Sequence, residues 1–466
     1  MWKFFRIYLV IFTIGILFGG LQTQSILPLL QLYRAPVFSG FIISLFVVFS
    51  LIDFYFIFHA LYTFIIGLAG FVPTKIDQKA LNSQSKLNSF VLIVCAHNER
   101  AVIANSLQEM LKLDYPKKLL KILVICDNCS DDTAALARQI GGNYPGFITV
   151  LERFDTVKKG KPHAVKYAID YVNQHFSGAE AISIADADNI YDVKYFKVMN
   201  YHLNQGAEII QGYLGVKNPD DSMTSRCGMY SYSATARVYF AARQNLGMSS
   251  TLGGTGFVVT RKALDEVGWD MFSLVEDFEF STKAVIMGKK IDFAYGAITY
   301  DEKPTTMRVS LKQRTRWMQG HWDVAIRQWK SVLEAFFSPN SNKADLFDYF
   351  LYLWSPLRMM LYCYLFLSIL VTWYLGAIGF DYFGLLLFPW WLKAGVSLAN
   401  LLQDYSYATL EGVKWYKIWV YPYYYLIFGM AWIPASISGF VQRKSRVWVK
   451  TEHKIITHVE ELGKIA

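Results

Sequence analysis

The fold class this sequence predicts is α/β with a mainly parallel sheet, placed between flanking transmembrane α-helices. Three observations predict it. Long apolar runs gather near the two ends of the chain, short β-branched runs alternate with amphipathic stretches between them, and charged clusters follow directly on the short runs.

The ends come first. Hydrophobic residues make up 53% of the 466 and charged residues only 18%, a balance foreign to an ordinary soluble enzyme. One apolar run extends from Phe4 to Leu21 behind Lys3 and Arg6, and a second from Phe38 to Phe71 with Asp53 as its one acidic residue. A hydrocarbon core of ~30 Å takes about 20 helical residues. The second run is longer, so it should tilt or extend into the cytoplasm. The first run has no small-residue cleavage site behind it, which favours a span over a signal peptide. Lys3, Arg6, Lys75, Lys79 and Lys86 place the amino terminus and the middle of the chain in the cytoplasm.

Towards the other end, apolar runs cover Tyr349 to Phe380, Tyr382 to Leu402 and Ile418 to Phe440, and a basic tail follows from Gln442. A cytoplasmic tail needs an even number of crossings, whereas these runs and the first two sum to an odd one. Either the middle run, with Pro389 and Lys393, is re-entrant or interfacial, or the run broken by Pro356 and Arg358 supplies two pieces. The expected layout is 1–75 membrane, 85–305 cytoplasmic α/β domain, 306–348 interfacial amphipathic helices, 349–441 membrane and 442–466 tail. The net charge of +9 is scattered and flanks the apolar runs, which suits anionic membrane lipid and not nucleic acid. Cys95, Cys126, Cys129, Cys227 and Cys363 form no disulfide framework, and the lone CxxC at 126–129 lacks the second pair of a zinc site.

From Ser89 to about Asp301 strand and helix patterns alternate: Phe90 to Val94 then Ile103 to Leu113, Ile122 to Ile125 then Ala134 to Ile140, Ala181 to Ala185 then Val193 to Leu203. Ligands of such a sheet bind at the carboxyl ends of its strands. There the sequence places Ala96-His97-Asn98-Glu99, then Asp127, then Asp186-Ala187-Asp188. Asp127 can bond a base or ribose, though Asp and Ser clusters are also ordinary turn chemistry. Asp186 and Asp188 can share a hard divalent cation across diphosphate oxygens. Lys161, in a basic loop that enters a helix, can reach a diphosphate, or can equally belong to a solvated loop. Gly254, Thr255 and Gly256 permit close approach of backbone to a ligand, and Glu276-Asp277 open an amphipathic stretch. Gln313, Arg316 and Trp317 offer amide, guanidinium and indole, which suit sugar hydroxyls, phosphate and a pyranose face.

In order, Asp127, Asp186-x-Asp188, Glu276-Asp277 and Gln313-x-x-Arg316-Trp317 resemble the D, DxD, (T)ED, QxxRW pattern of the processive family 2 glycosyltransferases, which include cellulose, chitin, hyaluronan and poly-N-acetylglucosamine synthases. The resemblance covers roughly Phe90 to Asp323. It implies a GT-A nucleotide-sugar-binding domain on membrane helices, Mg²⁺ or Mn²⁺, a UDP-sugar donor and a growing glycan or glycolipid acceptor at the plasma membrane, and leaves room for an accessory export subunit. It also implies roles: Asp127 on the uridine, Lys161 on the diphosphate, Asp186 on the nucleotide, Asp188 on the metal and Asp277 as general base. Arg316 would hold the donor diphosphate; Gln313 and Trp317 with Glu276 and the Gly254-Thr255-Gly256 loop would hold the acceptor. Two departures stand out: Val275 precedes Glu276 where the pattern has Thr, and Asn128-Cys129 follows Asp127 where it has Asp-Gly. A single transfer to a lipid acceptor fits the same motifs, and a membrane scaffold with an inactive domain is the non-enzyme alternative.

Overall fold

The structure, a computed structural model, describes residues 36–72, 76, 78–377, 388, 390–413, 423–445 and 453–462. The expected span Phe4 to Leu21 lies outside the described residues, as do parts of the runs from Tyr382 and Ile418. The chain divides into two compact units, Met1–Leu68 with Leu361–Ser406, and Ala69–Met360 with Tyr407–Ala466.

The larger unit is built on strands β1 (Phe90–Ala96), β2 (Leu120–Asp127), β3 (Ile148–Arg153), β4 (Ala181–Asp186), β5 (Ile190–Tyr191), β6 (Ile209–Val216), β7 (Phe257–Thr260) and β8 (Ile291–Asp301). They form one sheet in the order β3-β2-β1-β4-β7-β6-β8-β5. The half from β3 to β4 is all parallel, as expected. Beyond it β7 runs against both β4 and β6, β8 runs with β6, and β5 runs against β8. Because β7 reverses twice, β4, β6 and β8 point the same way. The carboxyl ends of β1, β2, β3, β4, β6 and β8 therefore share an edge with the amino end of β7.

The run Phe90-Val91-Leu92-Ile93-Val94 is at most 1% exposed throughout. A continuous apolar strand of this kind is covered on both faces. Helices α1 (Ile103–Met110), α2 (Thr133–Gly142) and α4 (Tyr195–Asn204) contribute to the cluster around Leu92, Val94 and Val124. Helices α3 (Lys161–His175), α5 (Glu276–Ile286), α6 (Met307–Phe337) and α7 (Lys343–Leu353) contribute to the cluster around Ile93, Ile125 and Ile184. Fully burying each such side chain is worth about 1.5–3 kcal/mol. Helix α8 (Trp432–Val441) lies close on α6, because Gly439 has no Cβ to meet the Met318 backbone, which would be 2.8 Å away.

In the smaller unit, helix Pro36–Gly67 packs with most of helices Ser355–Ala377 and Trp390–Leu410. Two of the charged residues that interrupt the apolar runs meet there. Lys393 Nζ is 2.7 Å from Asp53 Oδ2, with both side chains fully buried. Lys393 also donates to Ser368 Oγ at 3.1 Å, and the Phe388 N–H donates to Asp53 Oδ2 at 3.2 Å. Among the described residues one helix, Val47–Phe71, is by itself long and apolar enough to cross a membrane; the pair Lys343–Leu353 and Ser355–Leu370, bent at its break, passes when taken together.

Candidate active site

At the shared edge, the strand register sets the first pair. Asp127 and Arg153 are the last residues of β2 and β3 and stand opposite one another. Arg153 Nη1 donates to Asp127 Oδ1 at 2.5 Å in a buried ion pair. Arg153 Nη2 also donates to Asp155 Oδ2 at 3.0 Å. The loops after β1 and β2 turn on two left-handed asparagines, Asn98 at φ 57° and Asn128 at φ 50°. Short polar side chains tolerate that conformation because they hydrogen-bond locally. Asn98 Oδ1 accepts from the Ser130 N–H at 2.7 Å, and Asn128 Oδ1 from the Asp155 N–H at 2.9 Å. The departure at Asn128 is thus absorbed by the turn.

Next along the edge lies Lys161, the first residue of α3, behind Gly160 at φ 98°. Its ammonium donates to Asp186 Oδ1 and to the Gly254 carbonyl, both at 2.6 Å, and lies 3.6 Å from Glu276 Oε1. Burial alone would lower the Lys161 pKa, but Asp186 and Glu276 carry it above the ordinary lysine value. The turn after Asp186 is held from behind. Asn189 Oδ1 accepts from the Asp186 N–H at 2.9 Å and from the Thr255 hydroxyl, which in turn accepts from the Asp186 N–H at 3.2 Å. Thr255 is 3% exposed, so its hydroxyl serves this turn. Gln211, fully buried on β6, accepts from the Gly253 N–H at 2.8 Å and donates to the Thr255 carbonyl at 3.1 Å, which fixes the glycine loop. Gly254 and Gly256 take φ of 84° and 60°, and a Cβ on Gly256 would stand 2.5 Å from Thr299 Oγ1.

Asp188 is only 3% exposed. Its Oδ2 accepts from the Glu302 N–H at 3.1 Å, and its carbonyl accepts from Lys217 Nζ at 2.7 Å. Burial would raise its pKa; His453, Lys217 and the Glu302 N–H hold it below the usual value. Glu276 and Asp277 open α5, where the helix dipole favours negative charge. Gly320 on α6 admits Val275 here, since a Cβ would lie 2.9 Å from the Val275 nitrogen. A Cβ on Gly254 would come within 3.4 Å of Asp277 Oδ2, so the glycine loop and this carboxylate face each other. Burial, reinforced by the Glu276 carboxylate, pushes the Asp277 carboxyl up to about 7. Arg316, on α6, has its pKa lowered by burial, opposed by the charges of Glu276, Asp186 and Asp277. Trp317 stacks on Trp432 with ring centroids 6.2 Å apart. Gln313 is half-buried on the same helix.

Residues 88–320, half the chain, match the family described as Glycosyltransferase like family 2. The chain belongs to this glycosyltransferase family. It is 26% identical over 388 residues to the probable glycosyltransferase YdaM of Bacillus subtilis (strain 168), covering 79% of this chain and 88% of that one. It is 25% identical over 294 residues to a poly-beta-1,6-N-acetyl-D-glucosamine synthase of Staphylococcus aureus (strain COL), covering 61% and 68%. Among solved structures, mannosyltransferase PcManGT from Pyrobaculum calidifontis, in complex with GDP-Man and Mn²⁺, superposes with a TM-score of 0.50 at 17% identity, over 85% of this chain and 98% of that one. The fold of the glycosyltransferase is accordingly GT-A-like.

Sequence motifs therefore converge: Lys161, Asp186, Gly254, Glu276 and Asp277 are neighbours. Four contributors stand outside the sequence motifs. Arg153 is set by the β2–β3 register, Gln211 by β6, Glu302 by the end of β8, and His453 by a segment more than 100 residues downstream of the Trp317 motif. Among the described residues no group of three or more His, Cys, Asp or Glu is arranged to hold a metal ion as it stands. The hard oxygens of Asp186 and Asp188 at one turn nonetheless suit Mg²⁺ or Mn²⁺.

Proposed function

We propose that the enzyme transfers a sugar from UDP-glucose or UDP-N-acetylglucosamine to the end of a growing β-linked polysaccharide, with inversion, at the cytoplasmic face of the plasma membrane. The observation that carries the reading is the meeting of the glycine loop with Asp277 beside the Lys161–Asp186 pair. Asp277, poised near neutral pH, takes the proton of an acceptor hydroxyl as its oxygen attacks the anomeric carbon. The bond from that carbon to the diphosphate breaks, and UDP leaves from the opposite face. Asp127 receives the uridine, Asp186 the nucleotide, and Lys161 and Arg316 the diphosphate end. Gln313, Trp317, Glu276 and the Gly254-Thr255-Gly256 loop orient the acceptor sugar.

Asp188, with Asp186, would hold Mg²⁺ or Mn²⁺, which when bound offsets the charge on the departing diphosphate. The name of the staphylococcal relative supports N-acetylglucosamine polymer as product. The apolar segments of 1–75 and 349–441 would seat the 85–305 domain on the bilayer, with 306–348 interfacial and the 442–466 tail cytoplasmic. The test is purified full-length protein with a panel of UDP-sugars and Mg²⁺ or Mn²⁺, reading UDP release and product size. Polymer that a matching glycanase digests is expected. A low-mass glycolipid as sole product would replace polymer synthesis with single transfer, and no UDP release from any donor would sink the donor assignment.

A further inference from the structure

The segment His453–Leu462 has no regular structure beyond the turn Val459–Glu461, yet polar anchors hold it to the larger unit along its length. The N–H groups of Lys454 and Ile455 both donate to Glu302 Oε2, each at 2.9 Å. His453 Nδ1 lies 3.3 Å from both carboxylate oxygens of Glu99. Farther on, His458 Nδ1 is 2.7 Å from Glu109 Oε1, the Val459 N–H donates to Glu109 Oε2 at 3.1 Å, and Lys112 Nζ is 3.1 Å from Glu460 Oε1. Glu99 and Glu109 are 7% and 3% exposed. Carboxylates so deeply buried need partners; this segment supplies some of them, beside Lys112, whose ammonium lies 2.9 Å from Glu109 Oε1.

Both near anchors lead into the site. Glu302 offers its carboxylate to the segment and its own N–H to Asp188 Oδ2 at 3.1 Å. Glu99 follows Asn98, which ties the loop after β1 to the loop after Asp127. The attachment is polar: Ile456, in mid-segment, is 64% exposed.

We propose that His453–Leu462 is a positioning strap, which by holding Glu302 and Glu99 fixes the Asp188 carboxylate and the nucleoside-side loop in the geometry that receives the donor. The proposal rests on the reading of this edge as a UDP-sugar site. Its test compares the full-length protein in detergent with a chain ending at Glu452 and with Glu302→Ala, which keeps the N–H to Asp188 but removes the strap's acceptor. In both, hydrogen exchange of residues 96–100 and 186–190 should quicken while that of β1 stays unchanged. The donor KM should rise about 10–100-fold, as for groups that orient a binding carboxylate, with a smaller fall in kcat. A synthetic peptide of residues 453–466 should restore the truncated chain. Unchanged exchange and KM in both variants, or faster exchange spread over β1 as well, would overturn the strap. If the wild type turns over no UDP-sugar, the donor reading falls while the exchange comparison still decides the strap.

Discussion

Two lysine–aspartate pairs, one in each compact unit, show how the same two residue types serve opposite ends. In the smaller unit Lys393 and Asp53 are fully buried and matched one to one, with Ser368 beside the ammonium and the Phe388 N–H on Asp53 Oδ2. In the larger unit Lys161 faces Asp186, Glu276 and the Gly254 carbonyl, with Asp277 just beyond, and Asp186 is 40% exposed. The first arrangement is closed and neutral. The second holds a surplus of negative charge at an open edge, which costs stability and leaves a carboxyl near its titration point. A balanced pair pins helices, whereas an unbalanced one can take up a proton or a cation.

The largest effect should come from Asp277→Asn, which removes the base without changing shape. We expect kcat to fall about 10²–10⁴-fold. Stability should move the other way. The Asp277 carboxyl is raised in the folded protein, so ionising it as pH climbs from the ordinary carboxylate range through about 7 favours the unfolded chain. The neutral variant should therefore melt higher than wild type at pH 8 and equally at pH 4 by scanning fluorimetry. A lower melting temperature at pH 8 would mean that Asp277 is a structural anchor like Asp53.

Asp53→Asn should do the reverse, costing about 3–5 kcal/mol because it strands a buried ammonium. Replacing Asp53 and Lys393 together by leucine should recover most of that loss, which denaturation of the purified protein can measure. If the double variant stays as unstable as the single one, or loses sugar transfer while folded, the closed pair is more than a pin.

Lys161→Met tests the open pair at its centre. Lys161 is among the charges that lower the Asp277 pKa, after burial and Glu276 have raised it. Without it, the ascending limb of the pH–kcat profile, which in wild type should rise through about 7, should move to higher pH. A limb that stays in place would assign the titration to another group.

How far this contrast was legible in sequence follows from the range of the forces. Strands β1, β2 and β4 and helices α1, α2 and α4 declare themselves through local periodicity and strand-to-helix spacing, and so do the carboxylates at strand ends. Asp53 and Lys393 were visible as interruptions of apolar runs, but their pairing spans 340 positions. Arg153, Gln211, Glu302 and His453 reach the site only through register or through a returning segment, and nothing in their neighbouring residues marks them. The reversed strand β7 hid for a related reason: four residues, Phe257–Thr260, are too few to show direction.

The smallest effect tests whether the open pair needs its backing. Thr255 sits in the glycine loop, but its hydroxyl is bound to Asn189 and the Asp186 N–H behind the site. Thr255→Val keeps the shape and removes that bridge, at about 0.5–1.5 kcal/mol for a hydrogen bond of this kind. If Thr255 backs Asp186, the donor KM should rise by about 2–12-fold, which is that energy at room temperature, and the acceptor KM should hold. If its hydroxyl touches the acceptor, the acceptor KM should rise instead. The split between the two constants therefore decides whether this loop residue belongs to the donor carboxylate or to the sugar that attacks it.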